Sequence, residues 1–377
     1  MYEAMDIEII RPDALCPEDR AAWDALRQRG PGLDHPYLDP RYAVAAAGVP
    51  GAAVAVFRRG GRAVGFFPFQ RRGRLIQPLG APLSDYHGVI ADPEAGLDPA
   101  AVARHLGGAL RAGGWVSPAG PVPGFIARTR LATDVTGGRA ALAARLEERS
   151  HRFFKNMRRL RRGFEREHGE PVFTWDERDP AVLDWIVAHK RDQYRRSRRH
   201  DVFACGWTVD LLRRLFETRT ADYGLRLASL RTAAGELAAA EASLDDGRTL
   251  HLWFPTYDPA FARFGVGTLL TRLEMEQAAE AGYRRVDFGA GEEGYKTALA
   301  EPDGVVFEGV AEGPRPDLTR LAGRLMAGGP EPLRRFQQSL GRRFDIINAC
   351  ETRPADWWAG AATAAAAAAR KSLGASA

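Results

Sequence analysis

The segment RRVDFGAGEEGYK, residues 284–296, combines residue types that could support chemistry. It opens with the alternation of a strand, breaks at two glycines and closes on Tyr295 and Lys296. The chain has 53 Lys and Arg residues, but its lysines are only Lys155, Lys190, Lys296 and Lys371. Because lysine is a compact charge with a readily shifted pKa, Lys296 indicates a site for a phosphate or a developing oxyanion. A solvated lysine paired with Glu292 is the alternative.

Two acids and a histidine on strand-like segments could accept a proton, namely Asp287, Glu241 and His251. Glu241 is the one charge of its segment after Glu236. His251 shares a strand face with Trp253, because alternate residues of a strand point to the same side. A well-placed general base contributes about 10²–10⁴-fold to a rate. Each of the three is equally compatible with an exposed or hydrogen-bonded structural role.

A glycine-containing turn precedes the helix predicted over residues 265–282, and it consists of Gly265, Val266, Gly267 and Thr268. A helix N-terminus offers unpaired N–H groups and the positive end of a dipole, which suit a pyrophosphate. Glycine also lets the backbone approach such a group closely. A plain helix-start turn is the alternative. Asp258, which precedes Pro259, is interpreted as an N-cap rather than as a catalyst.

The elements that would position these residues begin with a meander in the first half of the chain. Residues 52–80 contain three strand-like runs, the first two separated by a glycine pair typical of a hairpin turn. A helix is predicted next, with Asp98 as N-cap and Gly113-Gly114 at its end.

The second half repeats this order of elements. Residues 225–257 again contain three strand-like runs, the helix of residues 265–282 follows, and residues 283–289 return as a strand. The repetition predicts two tandem copies of one α/β unit. We place the divisions at residues 1–137, 138–218, 219–312 and 313–377.

The two remaining regions are predicted to be helical. Residues 138–218 contain one helical stripe, made of Phe153, Met157, Leu160 and Phe164. The tail combines apolar stripes with basic residues and with Trp357-Trp358. Such a basic amphipathic tail could lie on an anionic membrane surface or bind a regulatory nucleotide. Packing on its own domain is the alternative.

The composition excludes several classes of protein. No run approaches the ~20 apolar residues of a membrane span, and no signal-peptide pattern opens the chain, so a cytoplasmic location is expected. Three separated cysteines match neither a disulfide framework nor a metal site, and no metal is expected. The pI of about 9.3 favours an anionic ligand or surface. Aromatic residues are not interleaved with basic ones, so no specific nucleic acid is expected.

Three motifs together resemble a known group. They are GAPLSDYHGVIADP, RFFKNMRRLRRGFEREHGEP, and YDPAFARFGVGTLL with VDFGAGEEGYKTALA, and they cover roughly residues 35–300. The chain is similar to GNAT-fold acyltransferases of the FemAB-like superfamily, specifically the CelD/BcsL type associated with bacterial cellulose and other exopolysaccharides. The resemblance implies two tandem GNAT-like domains, each a mixed, mostly antiparallel sheet flanked by helices. It implies that the second domain holds the donor and that the first is degenerate.

The resemblance also implies roles for particular residues. The turn at Gly265–Thr268 would bind the pyrophosphate of acetyl-CoA, although the Gln or Arg that opens the common signature is replaced by Ala262, with Arg263 one position later. A basic residue is found near Lys296 in related sites. A phosphorylated acceptor would be held by the residues Asp85, Tyr86, Lys155, Asn156, Arg159 and Tyr295. A turn acid, a packed tyrosine and a solvated helix face are the alternatives.

The function expected from the resemblance is N-acetyl transfer from acetyl-CoA to an amine of an exopolysaccharide precursor, such as a nucleotide- or lipid-linked amino sugar. Transfer of an aminoacyl group from tRNA, as in some FemAB relatives, is a variant of this expectation. The other class is a non-catalytic scaffold or regulatory protein of polysaccharide assembly.

Overall fold

The computed structural model describes residues 5–291, 296–314, 341 and 343–372, and within them fourteen strands form one continuous sheet. The strands are β1 Met5–Ile10, β2 Ala52–Arg59, β3 Arg62–Arg72, β4 Leu75–Pro78, β5 Ile90–Ala91, β6 Ala109–Trp115, β7 Ile126–Asp134, β8 Val172–Glu177, β9 Gly224–Arg231, β10 Leu237–Asp245, β11 Thr249–Leu252, β12 Thr256–Tyr257, β13 Arg285–Ala290 and β14 Glu301–Ala311. The helices are α1 Pro17–Arg29, α2 Pro40–Ala45, α3 Pro99–Leu106, α4 Gly138–His168, α5 Pro180–Arg196, α6 Trp207–Glu217, α7 Val266–Glu280, α8 Lys296–Leu299 and α9 Pro354–Ser372.

The strand order along the sheet is β1-β2-β3-β4-β6-β14-β7-β13-β11-β10-β9-β8, with β5 beside β3 and β12 beside β10. Paired strands are antiparallel except for two parallel pairs, β4–β6 and β11–β13. The predicted hairpin between β2 and β3 is confirmed, and both of its glycines, Gly60 and Gly61, have positive φ. Positive φ at both positions is what the favoured two-residue hairpin turn requires.

The two predicted copies share this sheet. Strand β14 of the second copy pairs with β6 on one side and with β7 on the other, and β7 pairs with β13. The fold class predicted from the sequence, a mixed and mostly antiparallel sheet flanked by helices in two tandem units, is therefore confirmed. The residue numbers at which we divided the chain stay predictions.

Three elements differ from the sequence prediction. Asp98 does cap α3, and its Oδ1 accepts the N–H of Ala101 at 2.7 Å, but the helix ends at Leu106. Gly107 adopts a left-handed conformation there, and the residues predicted to continue the helix form β6 instead. Strand β8 interrupts the stretch predicted as helical, and β14 was not anticipated because proline and glycine interrupt its alternation.

Helices cover both faces of the second-half sheet. Ala240, Ala242 and Leu244 of β10 belong to the apolar cluster that includes α5 and α6. Ala238 and Ala239 belong to the cluster formed with α7. Met157 and Phe164 of the apolar stripe predicted on α4 are buried, and so is Phe154. Phe153 and Leu160 of that stripe are only half-buried. Helix α4 packs against α7.

The described part of the tail is helical, as predicted, over residues 343–350 and α9. It packs against the body of the protein, because Ile347 and Cys350 are buried and the indole of Trp207 donates to the carbonyl of Cys350 at 3.0 Å. Two apolar stripes are predicted in the tail, and their members Leu318, Leu321, Leu325, Leu333, Phe336 and Leu340 lie outside the described residues. Phe344 and Ile347, which end the second stripe, belong to the described helix. Among the helices that are described, none combines the length and the apolar character needed to cross a membrane.

Candidate active site

The candidate site lies where the parallel strands β11 and β13 separate. Their pairing ends at His251 and Asp287. Beyond that point the chain turns back toward β10, where the N–H groups of Trp253 and Phe254 donate to the carbonyl of Ala242 at 3.3 and 3.0 Å. The resulting opening is a cleft of about 550 Å³, called the central cleft here. Its walls include Leu252, Pro255, Tyr257, Phe288 and Gly289.

Helix α7 begins at the central cleft without a side-chain cap. Its N-cap, Gly265, has a φ of +66°, a conformation that glycine adopts readily, and it offers no side-chain acceptor to the first N–H groups of the helix. Gly267 and Thr268 line the cleft, whereas Val266 is buried in the core. A Cβ on Gly267 would lie 3.2 Å from the Tyr257 ring, so the backbone runs close to the wall. These N–H groups are available to an anion.

Glu241 presents a buried carboxyl to the same cleft. Its side chain is 1% exposed, and Oε1 has no hydrogen-bond partner among the described residues. Burial raises the pKa of Glu241 to about 8, even though Lys190 and His251 oppose the shift. The carboxyl therefore changes charge near neutral pH, which suits a group that accepts and returns a proton.

Two ionisable neighbours accompany Glu241. Lys190 of α5 lines the cleft, and burial lowers the pKa of its ammonium. Glu274 of α7 is 1% exposed, and burial together with the nearby Glu241 holds its pKa well above the usual value. Two acids and a lysine thus share one poorly solvated region, and the charge of each depends on the others.

A chain of hydrogen bonds lies beneath the cleft, at the junction of the two halves. Nδ1 of His251 is 2.9 Å from Oδ1 of Asp287, and its Nε2 is 3.1 Å from Oδ2 of Asp85. The Tyr86 hydroxyl and the Gly289 N–H also donate to Asp287, at 3.0 and 2.7 Å. His251 and Asp287 are fully buried, whereas the Asp85 side chain is 47% exposed and lines the cleft. We call Asp85, His251 and Asp287 the Asp–His–Asp chain.

The charges of the Asp–His–Asp chain follow from its geometry. Burial alone would lower the pKa of His251, but hydrogen bonds to Asp287 and Asp85 outweigh burial and raise the pKa to about 9. Burial opposes ionisation of Asp287, yet the hydrogen bond from His251 keeps its pKa below the usual range. His251 is therefore an imidazolium at neutral pH that donates from both nitrogens. An imidazolium cannot accept a proton from a substrate.

His35 completes a set that could in principle hold a metal. Its Nε2 is 3.8 Å from Oδ2 of Asp287, and the ligand atoms of His35, His251 and Asp287 all lie within 4.8 Å of one another. Two imidazoles and a carboxylate are a zinc-type ligand set. Both nitrogens of His251 are, however, already bound to carboxylates. The residues as placed fit a hydrogen-bonded chain better than a metal centre.

The structure brings together some of the predicted site residues. Glu241, Gly267, Thr268, Asp85 and Lys296 all line the central cleft. Nζ of Lys296 donates to the carbonyl of Phe288 at 2.9 Å, so this lysine is anchored at the end of β13. The remaining predicted acceptor residue of this region, Tyr295, lies outside the described residues.

Other predicted residues lie elsewhere. Arg263 forms an ion pair with Glu167 and lies over the ring of Phe264 at 4.6 Å, away from the cleft wall. Lys155, Asn156 and Arg159 are exposed on α4, and Arg159 donates to the side chain of Asn156 at 2.9 Å. Tyr86 is buried and contacts Asp287 rather than the cleft. Asp258 caps the turn that follows it, as predicted.

Sequence reasoning missed Lys190, Glu274 and His35. Lys190 carried a usable signal, because it is one of four lysines in an arginine-rich chain and lies in the predicted helical stretch that precedes the second meander. Glu274 could have been noticed as an acid beside the apolar face of α7. His35 had no local signal, since its contact with Asp287 joins residues more than 250 positions apart.

Part of the chain matches a known protein family, and the fold resembles solved structures. Residues 150–297 match the family model described as acetyltransferase (GNAT) domain. A search of curated proteins found no match. Among solved structures, FemX is similar with a TM-score of 0.51 at 12% identity, over 80% of this chain and 96% of FemX.

Two further solved structures are similar at lower scores. A tandem GNAT protein from the clavulanic acid biosynthesis pathway has a TM-score of 0.46 and 14% identity, over 83% of this chain and 100% of that one. The C-terminal domain of a putative lysylphosphatidylglycerol synthetase from Agrobacterium fabrum has a TM-score of 0.43 and 14% identity, over 83% of this chain and 98% of that domain.

The matched range contains the parts of the central cleft that could do chemistry, namely Lys190, Glu241, the start of α7 and Lys296. The FemX likeness extends beyond this range and shows a shared fold over both halves of the sheet. Over residues 150–297 the chain is therefore similar to acetyltransferase (GNAT) domains.

Proposed function

We propose that the protein transfers an acetyl group from acetyl-CoA to an amine in the central cleft. One observation carries the proposal: Glu241 and the uncapped N-terminus of α7 line the same cleft. Glu241 is a buried carboxyl with a pKa of about 8. The helix end would bind the donor's pyrophosphate, and Glu241 would serve as general base.

The chemistry assigns one step to each part of the cleft. The acceptor ammonium gives a proton to the Glu241 carboxylate, and the free amine attacks the thioester carbonyl. The tetrahedral intermediate then collapses and the carbon–sulfur bond breaks. The coenzyme A thiolate leaves with the proton that the attacking nitrogen loses, and Glu241 releases its proton to water. Lys190 lies beside Glu241 and favours its ionised form. Lys296, anchored on the carbonyl of Phe288, supplies positive charge at the edge of the cleft.

Asp85 supports a cationic acceptor. Its carboxylate faces the central cleft, and His251 holds it from behind at 3.1 Å. A fixed carboxylate beside the donor would bind the ammonium of an amino sugar before proton transfer. The resemblance to CelD/BcsL-type proteins supports a nucleotide- or lipid-linked amino sugar of an exopolysaccharide precursor as this acceptor.

The first half, on this proposal, binds no donor. Asp98 already accepts the N–H of Ala101, in the first turn of α3, with its own carboxylate. A cytoplasmic location, and attachment of the basic tail to an anionic membrane surface or a regulatory nucleotide, stay predictions.

The test separates donor binding from turnover. Acetyl-CoA should stabilise both the wild type and Glu241→Gln in a thermal-shift titration, because the variant keeps the helix end intact. Thiol release with glucosamine, or with a nucleotide-linked glucosamine, should fall about 10²–10⁴-fold in Glu241→Gln. Wild-type turnover should rise with pH and level off above about 8, because the base must be deprotonated.

Three outcomes would contradict parts of the proposal. A wild type that acetyl-CoA does not stabilise would favour a tRNA-borne aminoacyl donor. Saturable donor binding with no turnover on any amine would favour the scaffold role. Equal turnover in Glu241→Gln and wild type would remove Glu241 as the base. Glu236→Gln is the matched control, since it removes one carboxylate from the turn that precedes the same strand and does not line the cleft.

A further inference from the structure

A second and larger cleft lies at the opposite end of strand β13. The central cleft is lined by Gly289 and Ala290 at the C-terminal end of β13, whereas this one is lined by Arg284, just before the strand begins. It has a volume of about 920 Å³ and shares no lining residue with the central cleft. We call it the arginine cleft.

Three arginines from different elements line this cleft. They are Arg214 of α6, Arg248 of the turn between β10 and β11, and Arg284. The N–H of Arg284 donates to the carbonyl of Arg248 at 2.8 Å, so two of the side chains start from adjoining backbones. Like charges that line the same cleft repel one another, and a bound anion would reduce that repulsion.

The acids of the cleft do not neutralise these three arginines. Asp222 pairs with Arg41 at 2.9 Å and Asp34 pairs with Arg285 at 3.1 Å. Asp24 and Asp246 both pair with Arg27, at 3.7 and 3.5 Å. Each acid that lines the cleft thus has an arginine partner other than these three.

Arg214, Arg248 and Arg284, in contrast, form no ion pair and no side-chain hydrogen bond with any part of the chain that the structure describes. All three side chains are exposed. Three guanidinium groups without an ion-pair partner in the described chain line one concave wall. They are a recognition set for phosphate, because each offers paired N–H donors to two oxygens of the same group. The volume is in the range of sites that hold a whole small molecule.

We propose that the arginine cleft is a second ligand site, which binds a free small molecule carrying a diphosphate group. The two clefts have separate walls and lie at opposite ends of β13. The ligand is therefore distinct from the acyl donor, and the site stands whether or not the central cleft performs acyl transfer.

The test uses inorganic pyrophosphate and a nucleoside diphosphate as probes, measured by titration calorimetry on the full chain. Each should bind saturably to the wild type, and rising salt should weaken binding because the contacts are charged. The triple variant Arg214→Gln, Arg248→Gln, Arg284→Gln should weaken binding by at least about tenfold, since one hydrogen bond to a charged group is worth about that factor.

The matched control removes the same charge elsewhere. Arg62, Arg74 and Arg166 are exposed, lie outside the cleft wall and form no ion pair in the described regions. Changing these three to Gln should leave pyrophosphate binding unchanged. An equal loss in both triple variants would overturn the proposal, because binding would then follow net charge alone.

A donor-site variant separates this proposal from the proposed function. Gly267→Glu should lose stabilisation by acetyl-CoA and keep pyrophosphate binding. If pyrophosphate binding is lost in Gly267→Glu and kept in the arginine variant, the probe binds at α7 and the arginine cleft is not the site. No saturable binding of either probe to the wild type would also overturn it.

Discussion

The two parallel strand pairs of the sheet have the same topology, but one opens into a cleft and the other is closed by a bridge. In the second half, pairing of β11 with β13 stops at His251 and Asp287, and the central cleft opens beyond it. In the first half, β4 and β6 pair in the same sense as far as Ile76 and Leu110, and an isolated parallel bridge then joins His87 to Trp115 at the end of β6. The N–H of His87 donates to the carbonyl of Gly114 at 3.1 Å, so the space between β4 and β6 that corresponds to the central cleft is closed.

The helices that connect the two strands of each pair also differ, in how their N-termini are capped. Helix α7 begins at Gly265 and leaves its first N–H groups open to the cleft, whereas α3 begins at Asp98 and binds its own carboxylate. The same topology is therefore present twice, but the open gap and the uncapped helix occur together only in the second half of the described chain. On the proposed function, local changes within this shared topology separate the half that binds the donor from the half that does not.

The largest expected effect is a difference in stability between leucine variants of His251 and His87, the two buried histidines that lie at the parallel strand pairs. His251→Leu removes the cation between Asp287 and Asp85 and leaves Asp287 fully buried without its partner, which should destabilise the protein by about 3–5 kcal/mol. His87 is also buried, but burial lowers its pKa to about 3, and neither ring nitrogen has a partner in the described structure. His87→Leu should therefore change stability by less than about 1 kcal/mol. Urea denaturation at pH 7 measures both.

The pH dependence of this comparison has a definite sign. The folded pKa of His251 is about 9, above an unfolded value of about 6.5. The contribution of His251 to the stability of the fold is complete below its unfolded pKa and is lost as pH rises through its folded pKa. The difference between wild type and His251→Leu should thus shrink from pH 6 to about pH 10. Equal losses in the two leucine variants would show that the histidines do not differ in charge.

The contrast between local and long-range features explains what the sequence could predict. The meanders, the Asp98 cap and the start of α7 at Gly265 were predictable because each depends on neighbouring residues: alternation, an N-cap acid, a glycine turn. Glu241 was one of three open candidates, because sequence shows that an acid lies on a strand but not that it is buried beside Lys190. Burial is what sets its pKa.

Other features required the folded chain. The Asp–His–Asp chain joins Asp85 to residues more than 160 positions away, so no spacing in the sequence reports it. Strand β14 enters between two strands of the first half, and its proline and glycine hide the alternation that would have marked it. The basic face of α4, chosen by resemblance, is exposed and partly self-paired, since a charge run alone does not distinguish a solvated face from a binding face.

An intermediate effect is expected at the two helix N-termini. Gly267 and Ala100 are both second residues of their helices, α7 and α3. Gly267→Glu places a carboxylate and a crowded Cβ where the donor's phosphates would lie. Acetyl-CoA at a hundred times its dissociation constant stabilises a protein by about 2.7 kcal/mol, and this stabilisation should disappear.

Ala100→Glu is the matched control in the first half, where an exposed residue receives the same side chain. It should leave the thermal shift caused by acetyl-CoA unchanged. If Ala100→Glu also removes the shift, or if Gly267→Glu keeps it, donor binding is not confined to the second half and the comparison fails.

The smallest effect concerns the cap that distinguishes α3 from α7. Asp98→Ala removes the acceptor of the Ala101 N–H and should lower stability by about 1 kcal/mol, measured by urea denaturation. Asp98→Asn keeps a cap without the charge and should cost less. Neither change should create donor binding, because His87 and Trp115 still close the gap between β4 and β6. A saturable shift with acetyl-CoA at α3 in Asp98→Ala would instead show that one carboxylate, and not the closed sheet, keeps the first half from binding a donor.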